Sequence, residues 1–156
     1  MPVQRPAGVL RARIDWLRAQ PVARDRPIVL IGSSAGAEAA LLIASYEPHL
    51  INAVVANSPS YLVTAFGSPA WTFHGKPLTT GALVPVADIR VPVLLSDGGQ
   101  DLVWPSSLSA TQIMQELRRS ADRAPYTNLY YPAAGHTTAG DPPDYPISAI
   151  VDQIPQ

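Results

Sequence analysis

Leu10, Ile14 and Leu17 fall at helical spacing with arginines between them, which predicts an amphipathic helix over residues 7–20, ended by Pro21. The next apolar positions have a different rhythm. Ile28-Val29-Leu30-Ile31 is a short continuous run rich in β-branched residues, a pattern that suits a strand buried on both faces of a parallel sheet. Gly32-Ser33-Ser34-Ala35-Gly36 follows, then an alanine-rich helix over residues 37–45 that Pro48 stops. Residues 51–56 (INAVVA) predict a second strand, residues 91–95 (VPVLL) a third and residues 127–131 (TNLYY) a fourth. Ala110, Ile113, Met114 and Leu117 mark the apolar stripe of a helix over residues 106–121. Residues 57–90 carry glycines, prolines and polar side chains and are expected to be irregular, with Trp71 and Phe73 inside. Residues 147–154 are expected to begin a final helix.

Strand, helix and strand within about thirty residues make a βαβ unit. Its repetition predicts one α/β domain over residues 1–156, with a mainly parallel sheet of about four strands and helices on both faces.

Composition narrows the function classes. With 156 residues, 47% of them hydrophobic and 15% charged, the chain is an ordinary globular protein with room for one core. A net charge of −1 with no basic run argues against nucleic acid or an anionic membrane as the main partner. The lack of cysteine removes disulfides, zinc thiolates and a thiol nucleophile. The opening MPVQRPAGVLRAR has no apolar stretch of signal-peptide length and no run reaches a membrane span, so a soluble cytoplasmic protein is expected. His49, His74 and His136 show neither HxH nor HxxxH spacing, and neither a metal nor a cofactor is expected.

The sharpest chemical signal is G-x-S-x-G at Gly32, Ser34 and Gly36, between a buried strand and a helix. A nucleophilic serine needs a tight strand-to-helix turn that projects its Oγ from the sheet end, and flanking glycines let the backbone pack close. The helix N-terminus lies under a developing oxyanion, to which the Ala35 N–H is one expected donor. The alternative is a helix-opening loop in which Ser33 or Ser34 is only an N-cap. Serine is a weak nucleophile without a base held by a third group. In this arrangement the acid and then the histidine follow the serine, each in a loop after a later strand. Ser96-Asp97-Gly98-Gly99-Gln100-Asp101 follows the third strand and Ala134-Gly135-His136 the fourth. Ser34, Asp101 and His136 are therefore the expected nucleophile, acid and base, with Asp97 as the competitor of Asp101. Glu38 is expected to complement the helix dipole, and His49 and His74 to lie at exposed or pocket-lining positions.

The stretches VLIGSSAGAEAALLIAS, AVVANSPS, AWTFHGKPL, VPVLLSDGGQDLVWPS and LYYPAAGH resemble the C-terminal domain of the acyl-CoA thioester hydrolase/bile acid-CoA:amino acid N-acyltransferase family, within the α/β-hydrolases near the dienelactone hydrolases. The resemblance runs from about Ile14 to Pro143. It implies the same triad, an acyl-CoA thioester as substrate, and hydrolysis rather than acyl transfer, because the conjugating members tend to carry cysteine where this chain has Ser34. Trp71 and Trp104, in the two most particular of these stretches, are expected to contact substrate. A carboxylesterase of dienelactone-hydrolase type, or a weakly catalytic binding module, is the alternative. The family carries an immunoglobulin-like domain and further strands ahead of the elbow, which are not in this sequence; the resemblance thus implies a truncated α/β-hydrolase domain. Strand residues 28–31 are then expected at a sheet edge open to pairing with a second copy.

Overall fold

The computed structural model describes residues 5–64, 71–120 and 124–136. The chain runs β1 (Arg5–Pro6), α1 (Ala7–Arg18), β2 (Val29–Ser33), α2 (Ala35–Tyr46), β3 (Ala53–Asn57), β4 (Trp71–Phe73), β5 (Lys76–Pro77), β6 (Val93–Gly98), α3 (Ser106–Arg119) and β7 (Tyr126–Tyr131). Single turns of 3-10 helix lie at Pro21–Ala23, Pro48–Leu50 and Val86–Asp88. The helices and strands read from the hydrophobic pattern are present, displaced only at their ends; the expected helix over residues 147–154 lies outside the described residues. Proline sets two of those ends. Gln20 and Glu47, which precede Pro21 and Pro48, leave helical geometry (φ −75°, ψ 139° and φ −135°, ψ 53°) because a following proline ring crowds the helical conformation.

The main sheet has the order β2-β3-β6-β7, with every neighbouring pair parallel. Side-chain alternation splits it into two faces. Val54, Ala56, Val93 and Leu95 join a large core with Ile14 of α1, Leu41 and Leu42 of α2, and Ile113 and Leu117 of α3. Ala53, Val55 and Leu94 form a smaller cluster with Val29 and Leu129. Every residue of α2 from Ala37 to Ser45 is buried, so this helix is covered all round. In α3 Ala110, Ile113 and Leu117 of the predicted stripe are buried and Met114 partly so, Ser106 and Ser109 are buried beside them, and Arg118 and Arg119 lie in solvent. β2 stands at one edge of the sheet, where Ile31 is 55% exposed.

The described residues between 57 and 90 are more ordered than their sequence predicts. β4 pairs in parallel with β1 and antiparallel with β5, forming a small second sheet. Strands of two or three residues carry no period of alternation to read, and the β1–β4 pairing joins residues far apart in sequence. Among the described residues, no helix is long and apolar enough to cross a membrane.

Candidate active site

Parallel strands deliver their following loops to one end of the sheet, and the three expected residues all lie in such loops. Ser34 follows β2 directly. Its N–H donates to Asn57 O at 2.9 Å, continuing the β2–β3 ladder, while its own carbonyl accepts from Ala37 N (3.0 Å) and Glu38 N (3.1 Å), starting the helix. Serving both elements forces Ser34 to φ 55°, ψ −120°, a conformation that costs a non-glycine residue about 1–3 kcal/mol. Ser34 thus occupies the N-cap position of α2, but its half-buried side chain makes no capping hydrogen bond. Ser33 is committed elsewhere, its Oγ donating to Asn57 Oδ1 at 2.9 Å.

The two glycines of the motif are not equivalent. A Cβ on Gly32 would lie 2.1 Å from the Gly36 carbonyl oxygen, so the turn requires glycine there. A Cβ on Gly36 would meet nothing within 4 Å, so close packing accounts for only the first glycine. Ala35 opens α2, and helix geometry leaves its N–H without an intrahelical acceptor.

The acid and histidine loops are held directly together. Gly99 N donates to Tyr131 O and Gln100 N to Ala134 O, both at 2.9 Å. A Cβ on Gly98 would lie 2.2 Å from Gly135 O, so glycine is again needed for backbone to meet backbone. This contact brings His136 Nδ1 to 2.8 Å from Asp101 Oδ2, with the two side chains 17% and 2% exposed. The other carboxylate oxygen, Oδ1, accepts from Val103 N and Trp104 N at 3.0 Å each. Burial alone would raise the Asp101 carboxyl, but the nearby Ser106 hydroxyl, the His136 imidazole and the N–H groups of Trp104 and Val103 outweigh it and hold the carboxyl below its ordinary value. An ionised Asp101 accepts the Nδ1 proton and leaves Nε2 of a neutral imidazole as the basic nitrogen. Asp97 lies inside β6 and is 1% exposed, so the carboxylate paired with His136 is Asp101.

Among the described residues, Ser34 Oγ and His136 Nε2 are not joined by a direct hydrogen bond; such links often tighten only once substrate is bound. The histidine backbone reaches the elbow strands instead, its carbonyl accepting from Ser58 Oγ. Trp71 and Trp104 are half-buried. Trp71 Nε1 donates to Glu38 Oε1 at 2.9 Å, and Trp104 Nε1 to Ser109 Oγ at 3.1 Å. One surface cavity of about 320 Å³ lies between Tyr61, Val84 and Ile113, and another of about 300 Å³ between Arg11, Glu47 and His74. Neither is lined by Ser34, Asp101 or His136. His49 and His74 both approach Glu47, with Nε2 atoms 3.6 and 3.4 Å from its carboxylate oxygens. Among the described residues, no cluster of three His, Cys, Asp or Glu side chains is arranged to hold a metal.

Two residues escaped the sequence reading. Glu38 does not face solvent: it is 1% exposed and accepts from Thr64 N, Thr64 Oγ1 and Trp71 Nε1. An acidic residue in a helix with no other charged position was the available signal. Ser58 carried no signal, because its partner is 78 residues away.

The family described as BAAT / Acyl-CoA thioester hydrolase C terminal matches residues 67–154, a span that includes Asp101 and His136 and begins after Ser34. No curated protein matches the chain. Among solved structures, dienelactone hydrolase from Anabaena variabilis is similar at a TM-score of 0.58 and 22% identity, covering 83% of this chain and 49% of its own. Est1E from Butyrivibrio proteoclasticus gives 0.56 and 18%, covering 83% of this chain and 60% of its own. The acylaminoacyl peptidase of Pyrococcus horikoshii gives 0.60 and 15%, covering 83% of this chain and 23% of its own. At these identities the likeness shows the fold, that of the α/β-hydrolases, and the chain spans about half the length of the dienelactone hydrolase.

Proposed function

The chain belongs to the BAAT / acyl-CoA thioester hydrolase C-terminal family, and on that premise we propose that it is a serine hydrolase of acyl thioesters, with Ser34 as nucleophile, His136 as base and Asp101 as the acid that orients it. The observation that carries this reading is the partly buried His136–Asp101 hydrogen bond, 2.8 Å long, formed at the same end of the sheet as a serine in a strained elbow.

In this reading Ser34 Oγ attacks the thioester carbonyl carbon and His136 Nε2 takes the hydroxyl proton. The carbonyl π electrons pass to oxygen, and the oxyanion accepts from the Ala35 N–H at the start of α2. Collapse of the tetrahedral intermediate breaks the C–S bond, and the departing thiolate takes the proton back from His136. Water then attacks the acyl-serine, giving its proton to His136, and a second collapse releases the carboxylic acid and returns the proton to Ser34. Asp101 stays ionised throughout and favours the transient imidazolium. Trp71 and Trp104 are proposed to border the acyl group.

The test is thiol release from acyl-CoA, measured beside hydrolysis of simple esters and labelling by a fluorophosphonate. Thioesterase activity and labelling, both lost in Ser34→Ala, are expected. Ester hydrolysis with acyl-CoA untouched would make the chain a carboxylesterase, and no labelling in the parent would make it a binding module.

A further inference from the structure

We propose that Ser58 is the positioning residue for His136: its hydroxyl anchors the histidine backbone, so that the imidazole held by Asp101 is presented towards the elbow. The inference rests on His136 being the base.

Ser58 is the first residue past β3, the strand whose last residue, Asn57, accepts the Ser34 N–H. Its own N–H donates to Ser96 O of β6 at 2.8 Å, and its Oγ donates to the His136 carbonyl. Asn57 extends the same line sideways, accepting from Ser33 Oγ and donating through Nδ2 to Ser96 Oγ, each at 2.9 Å. A continuous series of hydrogen bonds thus crosses the carboxyl end of the sheet from the elbow to the histidine loop, and Ser58 is its last member before His136.

The backbone of Ser58 supports the same inference. The residue is 1% exposed and lies at φ 46°, a left-handed conformation that is strained for an L-residue. Pro59 follows, and a residue before proline is pushed towards extended geometry, which makes this φ doubly unfavourable. Glycine would meet the backbone demand with less strain, but only a side chain with a donor reaches the His136 carbonyl. The Asp101 contact fixes one ring nitrogen and leaves the Cα position of the histidine open. With Gln100 N on Ala134 O and Ser58 Oγ on His136 O, the backbone is held on both sides of Gly135.

Ser58→Gly removes the hydroxyl and relieves the backbone, so it separates the two roles. It is read by the rate of fluorophosphonate labelling at Ser34, by the kcat and KM for a thioester, and by the downfield proton resonance of the His136 Nδ1–H. The expected result is labelling slower by a factor on the order of 10–100, a fall in kcat with KM unchanged, and loss of the resonance, with amide shifts confined to the His136 loop and Asp101. A Ser58→Gly protein that keeps both the resonance and the parent labelling rate overturns the proposal. Shifts spread through β3 and β6 also overturn it, because the residue would then serve the sheet and not the histidine. A parent that shows the resonance but never labels sinks the catalytic reading alone, and the resonance still decides the Ser58 link.

Discussion

His136 Nδ1 and Asp101 Oδ2 lie 2.8 Å apart although 35 residues separate them in the chain, and the contact depends on glycines at 98 and 99, where a Cβ would lie 2.2 Å from Gly135 O and 2.6 Å from Pro132 O. Several measurable consequences follow from this pair and the elements around it.

Asp101→Asn is expected to lower kcat for thioester cleavage by about 10⁴, since an amide in the carboxylate's place holds the imidazole in the wrong tautomer. Asp97→Asn is expected to keep most of the activity, because Asp97 lies within β6 and His136 pairs with Asp101. Equal losses in the two variants would assign the acid wrongly.

Asp101 also links stability to pH. Its folded-state carboxyl is held below the ordinary value, 3.8, so its contribution is present above that value and disappears as pH falls through the lower folded one. Urea unfolding at pH 7 and at decreasing pH below the carboxylate range is expected to show a smaller loss for Asp101→Asn than for the parent. The same acid sensitivity in both proteins would remove the carboxylate from this account.

Ser34→Gly is expected to be inactive yet more stable, by up to about 1–3 kcal/mol, because glycine tolerates φ 55°, ψ −120° and serine does not. Chemical denaturation of the two proteins, side by side, measures the strain stored in the elbow.

The glycines make a matched pair. Gly98→Ala forces a Cβ against the Gly135 carbonyl and is expected to destabilise by about 1–3 kcal/mol while slowing labelling at Ser34. Gly36→Ala enters open space within α2 and is expected to stabilise by roughly 0.5–1 kcal/mol. Thermal melts of both decide whether packing alone distinguishes them.

Among the described residues, β2 has a strand neighbour on one side only in the main sheet, and Ile31 is 55% exposed. Self-association through this edge is the expected outcome, with Ile31→Lys shifting the protein towards monomer in native mass measurement. A parent that is monomeric at micromolar concentration would remove the edge as an interface.

The local content of the sequence determined the helices, the four main strands and the elbow. An apolar run or a 3.6-residue stripe depends on neighbours within a few positions, and G-x-S-x-G records one turn between two adjacent elements. The order serine, acid, histidine was legible for the same reason, since parallel strands send each following loop to one end. Asp101 was already the choice over Asp97 from its place beyond the turn glycines, and tertiary structure supplied the physical reason: β6 continues to Gly98, beyond its apolar run, and takes Asp97 into the sheet. Tertiary structure alone made Glu38, legible only as a complement to the helix dipole, a buried acceptor for Thr64 and Trp71, paired β1 with β4, and brought Ser58 to the His136 carbonyl. Each of these depends on where distant backbone arrives in space, and a pattern of neighbouring side chains carries no record of that.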